Sequence, residues 1–254
     1  MKRTFFWLIP VVAVVGASVL YLSLNSEKPE PQAPQVPAPA PPAIRYPIEP
    51  DGPPAEPLPV LTESDGAIRD ALAALFGKDL EKFFNLQDII HRIVATIDNL
   101  TRDNVSLGLM PLKPLPGLLV TTGTGESLVL SPQNAARYRP YVRLAEAVPT
   151  QALVAAYRRF YPLFQKQYEN LGYPEKYFND RVVEVIDHLL EAPDLHRPTL
   201  LSQPRVLYEF ADPKLERLSA GQKILLRMGR ENAVAIKAKL REIREALVSK
   251  VTSG

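Results

Sequence analysis

The stretch Asn85–Leu100, NLQDIIHRIVATIDNL, decides how this chain folds. Leu86, Ile89, Ile90, Ile93, Val94, Ile97 and Leu100 recur at the spacing that stacks them on one face of an α-helix. A stripe that long is stable only against a partner surface, so a helical core is required, and Asn85 is its expected cap. Two further stripes supply the partners. In Thr150–Leu171 the face is Leu153, Tyr157, Phe160, Tyr161, Phe164, Tyr168 and Leu171; Pro162 is expected to kink this helix and Gly172-Tyr173-Pro174 to close it. In Glu175–Ala192 the face is Phe178, Val182, Val185, Ile186 and Leu189, ended by Pro193. Each such side chain, fully buried, contributes about 1.5–3 kcal/mol of transfer free energy, so three stripes suffice for a core.

Shorter elements surround these three. Ser64 or Thr62 caps a helix ending at Phe76, with Gly77 as its stop. Leu118–Val120 and Ser127–Leu130 read as a small hairpin that must lean on the helices. Ser131-Pro132 has the form of a cap followed by proline at the first helical position, and Pro140 is expected to break or bend that helix before Ala147. Asp194–Pro204 reads as loop and Val206–Phe210 as a short extended or irregular piece. Ser219 caps a helix to Met228, and Ile236, Leu240, Ile243 and Leu247 mark a charged amphipathic helix at the C-terminus.

Upstream of all this, Pro29–Pro59 holds 13 of the chain's 26 prolines. Proline fixes φ and lacks an amide hydrogen, so this run forms neither helix nor ladder and reads as extended polyproline II. Its 31 positions reach at most about 100 Å. Before it, Lys2-Arg3 precede Thr4–Leu24, an uncharged apolar run. As a helix that run spans roughly 31 Å, the thickness of a bilayer's hydrocarbon core. A secretory signal cleaved near Val15-Gly16-Ala17 is the rival reading. The run continues apolar through Leu24, longer than a signal's core of about 7–15 residues, which favours an uncleaved anchor.

The expected fold is therefore mainly α: a compact multi-helix domain with one small β-hairpin over residues 60–254, preceded by a transmembrane signal-anchor at 1–24 and a Pro-rich tether at 25–59. With Lys2 and Arg3 held in the cytoplasm, a single-pass inner-membrane protein with a periplasmic C-terminal domain is expected. Its partners are then the lipid bilayer through residues 4–24, and an envelope protein or cell-wall polymer. From Val60 onward there are 26 Lys+Arg against 23 Asp+Glu, too balanced for a nucleic-acid binder. The absence of cysteine excludes a disulfide and a Cys-based zinc site.

Several stretches resemble a bacterial family catalogued as domain of unknown function 3014. They are Ala95–Leu100 (ATIDNL), Tyr177–Arg181 (YFNDR), Val185–Leu190 (VIDHLL), Tyr208–Pro213 (YEFADP), Leu218–Lys223 (LSAGQK) and Met228-Gly229. The similarity covers about Leu58 to Leu247. It implies a membrane-anchored, proline-tethered envelope protein of unassigned activity, and lends no catalytic residues.

Candidate sites therefore come from spacing alone. On the Glu175–Ala192 helix, Tyr177, Arg181, Glu184 and His188 fall on one arc beside the buried stripe, where a carboxylate and an imidazole four apart can share a proton or form an ordinary surface pair. Arg137, Tyr138, Arg139, Tyr141 and Arg143 combine the two residue types that favour recognition surfaces. Tyr157, Tyr161 and Tyr168 read as core, and His91, about 20° from Asp98 around its helix, as a solvated flank rather than a ligand. A glycan-acting enzyme would use Glu184 or Glu209 as general acid with Asp180 or Asp212 assisting, while Asp180 and Asp212 are most simply caps or turn residues. No phosphate loop, nucleophile elbow or metalloprotease pattern occurs, and His91, His188 and His196 form no metal-ligand spacing. Neither cofactor nor metal is expected. The favoured reading is a non-enzymatic binding or scaffold module, with passive capture of wall polymer and glycan chemistry as alternatives.

Overall fold

A computed structural model describes residues 43–48, 57–77 and 80–249. The apolar run 4–24 and most of the Pro-rich stretch lie outside them; among the described residues no helix is long and apolar enough to cross a membrane. The elements in chain order are α1 (Asp65–Phe76), α2 (Leu80–Phe83), α3 (Ile89–Asn99), β1 (Thr121–Thr122), β2 (Val129–Leu130), α4 (Gln133–Ala147), α5 (Thr150–Asn170), α6 (Phe178–Leu190), β3 (Leu201–Ser202), β4 (Glu209–Phe210), α7 (Pro213–Glu216), α8 (Ala220–Arg227) and α9 (Arg230–Val248). The protein is mainly helical.

The three stripes meet as the sequence demands. Ile89, Ile90 and Val94 of α3 pack with Phe160, Phe164 and Tyr168 of α5 and with Phe178, Val182 and Ile186 of α6; Ile68 of α1 and Leu247 of α9 close the cluster. A second cluster joins Val185 and Leu189 of α6 to Leu225 and Met228 on α8 and its turn, and to Ala233 of α9. α9 thus lies across α4, α5, α6 and α8 and ties the two clusters together.

Local details differ from the sequence reading in instructive ways. Asn85 does not cap α3. The helix starts at Ile89 after Asp88, which sits in the left-handed region at φ 50°. Its first amides are taken instead by α1: Asp65 Oδ2 accepts from Asp88 N at 2.8 Å and Oδ1 from Ile89 N at 3.1 Å. Asn85 turns to the following loop and donates to Met110 O. Pro140 does not break α4, which runs on to Ala147, and α5 likewise continues through Pro162; both prolines lie on exposed positions of their helices. α6 begins at Phe178 rather than Glu175, because Gln165 Oε1 captures the Phe178 amide at 2.8 Å and fixes the entry.

The expected hairpin is present, with its first strand at Thr121–Thr122 rather than Leu118–Val120. Buried Asn134 of α4 holds Val120 on both sides, accepting from its N–H at 3.0 Å and donating to its carbonyl at 2.6 Å. A second ladder, absent from the sequence reading, pairs Leu201 with Phe210 and Ser202 with Glu209. A Val129–Leu200 bridge joins the two, and Leu201, Phe210 and Leu226 bury their shared face. Each two-residue pair would be marginal alone; joined and packed on α8, they are not.

α8 packs closely against the end of α3 and against α6. Ser219 Oγ accepts from Gln222 N while Gln222 Oε1 accepts from Ser219 N, a capping box. This brings Ala220 N to Arg102 O at 2.7 Å and Gly221 N to Leu100 O at 2.9 Å. A Cβ on Gly221 would lie 2.5 Å from Leu189 Cδ2 and 2.9 Å from Leu100 O.

Gly221→Ala is expected to destabilise the domain by about 1–3 kcal/mol, read as a lower urea midpoint with unchanged slope. A second expectation concerns acid. Burial raises the Glu216 carboxyl, but the Phe210 amide and the Lys223 ammonium outweigh it and hold the group below its ordinary value. A depressed carboxyl contributes stability above its unfolded value, about 4.3, and loses it as pH falls through the folded value. Glu216→Gln should therefore melt below wild type at pH 7, with the gap closing in acid beneath about pH 4.

Candidate functional site

Asp98 lies in the last turn of α3, where a negative charge opposes the helix dipole. Its side chain is only 8% exposed, so it needs partners. Arg181 of α6, 16% exposed, provides them: Nε donates to Asp98 Oδ1 at 3.2 Å, Nη2 to Asp98 O at 2.8 Å and to Thr101 Oγ1 at 2.6 Å. Arg102 Nη2 adds a bond to Oδ2 at 2.7 Å, and Tyr173 OH another at 3.2 Å. The fourth arm of Arg181, Nη1, reaches Glu184 Oε1 at 2.8 Å.

This network floors a cleft of about 520 Å³, rimmed by Arg45, Arg102, Tyr173, Lys176 and Glu184. Tyr173 stacks on Tyr168 with centroids 4.7 Å apart, and Lys176 Nζ sits 5.0 Å from the Tyr173 ring centre. Burial pushes the Tyr168 phenol up to about 12, Asp98 adding to the rise and Arg181 opposing it, so it stays protonated at neutral pH. One wall belongs to the N-terminal segment 43–48. Both Asp180 oxygens accept backbone amides, from Arg45 at 2.9 Å and Tyr46 at 2.8 Å. Tyr177 OH accepts from Ile48 N at 2.8 Å, and Asn179 Nδ2 donates to Tyr46 O at 2.9 Å.

The four residues singled out on the α6 arc have separate roles. Tyr177, Arg181 and Glu184 line this cleft, whereas His188 lines a neighbouring one of about 390 Å³. Its Nε2 lies 2.9 Å from Ser219 Oγ and its carbonyl accepts from Gln222, so His188 is tied to the start of α8. No Glu184–His188 hydrogen bond forms among the described residues.

The α4 candidates lie elsewhere and line no part of the cleft. Arg137 clamps the preceding loop, donating to Pro116 O and Gly117 O. Tyr141 OH donates to Lys113 O and its ring meets Phe83 edge-on. Tyr138 packs on the second cluster, and burial raises its phenol against the pull of Arg227 and Arg137. Only Arg139 and Arg143 face solvent.

Of the proposed acid pairs, the structure brings Glu184 and Asp180 into one cleft and leaves Glu209 and Asp212 outside it. Asp212 caps α7 by accepting from Lys214 N at 2.8 Å, and Glu209 sits in β4 outside the cleft that holds Glu184 and Asp180. His91 Nδ1 pairs with Gln167 at 3.0 Å. Among the described residues no group of three or more His, Asp or Glu is arranged to hold a metal.

Asp98, Arg102, Tyr173, Lys176 and Arg45 are the residues that spacing missed. Asp98 carried a signal, since it lies within ATIDNL, one of the stretches of family resemblance. Arg45 carried none, because its contact spans 135 residues of chain.

Residues 89–244 match the family model described as "Protein of unknown function (DUF3014)", which spans the network from α3 to most of α9. No curated protein and no solved structure matches the chain.

Arg181→Met is expected to cost about 2–4 kcal/mol in chemical denaturation, because it takes the least exposed partner from the buried Asp98 carboxylate and leaves it Arg102 and Tyr173. Adding Asp98→Asn to it should recover part of that loss, a coupling that a double-mutant cycle measures.

Proposed function

This chain belongs to the DUF3014 family, and on that premise we propose that its helical domain is a non-enzymatic binding module taking an anionic segment of an envelope protein into the α3–α6 cleft. In this reading residues 4–24 anchor it in the bacterial inner membrane and the Pro-rich tether carries it into the periplasm. The supporting observation is the division of charge in the cleft. Its deep carboxylates are engaged from within: Asp98 by Arg102, Arg181 and Tyr173, and Asp180 by two backbone amides. Its exposed rim carries Arg45, Lys176 and Arg102, the last with a side chain 54% exposed, against a single exposed carboxylate, Glu184.

A carboxylate already saturated by fixed donors is a poor general acid, whereas half-solvated guanidinium and ammonium groups beside stacked tyrosines suit recognition of carboxylate or phosphate. Charge of this kind favours encounter and specificity more than affinity, so the interaction should weaken with salt.

A photoreactive residue at Glu175, beside the rim, tests the reading in living cells. It should capture a discrete envelope protein, and Arg45→Glu with Lys176→Glu should cut the yield roughly tenfold. Capture no greater than that of an anchor-and-tether control overturns it, and cosedimentation with isolated cell wall in place of protein capture assigns the rim to polymer. For the location, a β-lactamase fused after Gly254 should confer resistance; a fusion that is stable yet fails to protect refutes the periplasmic placement.

A further inference from the structure

The cleft's N-terminal wall has the construction of a ligand in a site. We propose that Tyr177, Asn179 and Asp180 at the start of α6 form a binding site for an extended, proline-containing peptide, and that its resident ligand is the chain's own Ile44–Ile48. Every polar contact the site makes with this segment is to main chain: Arg45 N and Tyr46 N on Asp180, Tyr46 O on Asn179, Ile48 N on Tyr177. Between the first and last of these contacts, Arg45 to Ile48, the one residue skipped is Pro47, which has no N–H to satisfy. Donor, donor, gap, donor is the pattern such a site reads. Side-chain selectivity comes from alternate positions: Tyr46 and Ile48 are half-buried against the main core, while Arg45 and Pro47 are exposed.

The site is organised independently of its occupant. Asn179 is fully buried, its Oδ1 accepts from Tyr157 OH at 3.3 Å, and its backbone amide donates to Tyr161 OH at 3.3 Å. These contacts fix the amide so that Nδ2 points outward at the segment. Tyr177 is held by its ring against Tyr161, centroids 5.2 Å apart. With the segment gone, the Asn179 amide and the Asp180 carboxylate would turn to water, and an extended chain of matching pattern restores the four bonds and covers the apolar surface under Tyr46 and Ile48. Because the occupant is tethered, it enjoys a high effective concentration, and an outside peptide must be in excess to replace it.

Trypsin acting on the full-length protein tests this, with mass spectrometry following the fragment that begins at Tyr46. A docked segment protects the Arg45–Tyr46 bond. Asp180→Ala, which removes two of the four contacts, should speed that cleavage roughly tenfold, and Tyr177→Phe, which keeps the ring packing, severalfold. An excess of synthetic Ala43–Ile48 hexapeptide carrying Arg45→Gln, and so resistant to trypsin, should bring wild type toward the Asp180→Ala rate, while a scrambled hexapeptide should not. Cleavage of the wild type as fast as of both variants, with all three folded by circular dichroism, overturns the proposal; so does a wild-type rate that excess peptide leaves unchanged. Run on the purified protein with no anion partner added, the readout reports on the segment's docking alone, so its failure is distinct from a failure of the rim to capture a partner.

Discussion

Everything in this domain turns on how the C-terminal end of α3 is satisfied. A helix leaves its last four carbonyls without intrahelical partners, and α3 ends inside the protein with a buried carboxylate among them. Arg181 resolves both problems with one guanidinium, bonding the Asp98 side chain, the Asp98 carbonyl and the Thr101 hydroxyl together. The next carbonyls, of Leu100 and Arg102, accept from Gly221 and Ala220 at the start of α8. The first amides of α8, which have no intrahelical partner, are thus taken by carbonyls just past the C-terminal end of α3. A buried ion pair is weak evidence of net stability, since desolvation offsets much of its attraction. Its firmer consequence is registry: α3, α6 and α8 dock this way only if all of these bonds close together.

That constraint gives physical meaning to the stretches of family resemblance. ATIDNL supplies Asp98 and the Leu100 carbonyl, YFNDR supplies Arg181 and the peptide clasp, and LSAGQK supplies the capping box and the glycine whose lack of Cβ permits the approach. VIDHLL adds His188 on the Ser219 hydroxyl and Leu189 against Gly221. Met228-Gly229 serves a different contact, where Gly229 turns at φ 83° with its absent Cβ 3.0 Å from that of Ala135 on α4, and YEFADP forms β4 and the cap of α7. The other four stretches, scattered over more than a hundred residues, describe one node.

The helical core was legible because apolar periodicity is a local property, and α3, α5 and α6 bury the faces their spacing marks. Caps were legible where the partner is near in sequence, as in Ser219–Gln222. They were not where the partner is remote, as with Asp65 over the start of α3, since nothing in Asn85–Asp88 announces a carboxylate from another helix. The second ladder escaped for the same reason: two residues per strand leave no alternation to detect, and it persists only through the Val129–Leu200 bridge and the Leu201–Phe210–Leu226 cluster. At the site, spacing found Tyr177, Arg181 and Glu184 because they share a helix. It gave Asp98 no role beyond lying near His91 on a helix flank, and only the folded arrangement reveals a buried acceptor. On α4 the reverse holds: Arg137, Tyr138 and Tyr141 have the composition of a recognition surface yet are spent on holding loops and core.

The cleft and the clasp are not separable, and Arg45 is where they join. Its backbone amide is bound by Asp180 while its guanidinium stands on the rim beside Lys176. An anion that contacts this guanidinium in its docked position gains an interaction that the undocked segment does not offer. By reciprocity, such a ligand must tighten the docking by the same factor that docking tightens the ligand. A ligand that avoids Arg45 has no such leverage, however strongly it binds, because only differential affinity shifts an equilibrium. The placement of one arginine thus decides whether the N-terminal segment is a passive wall of the cleft or a part of its binding equilibrium.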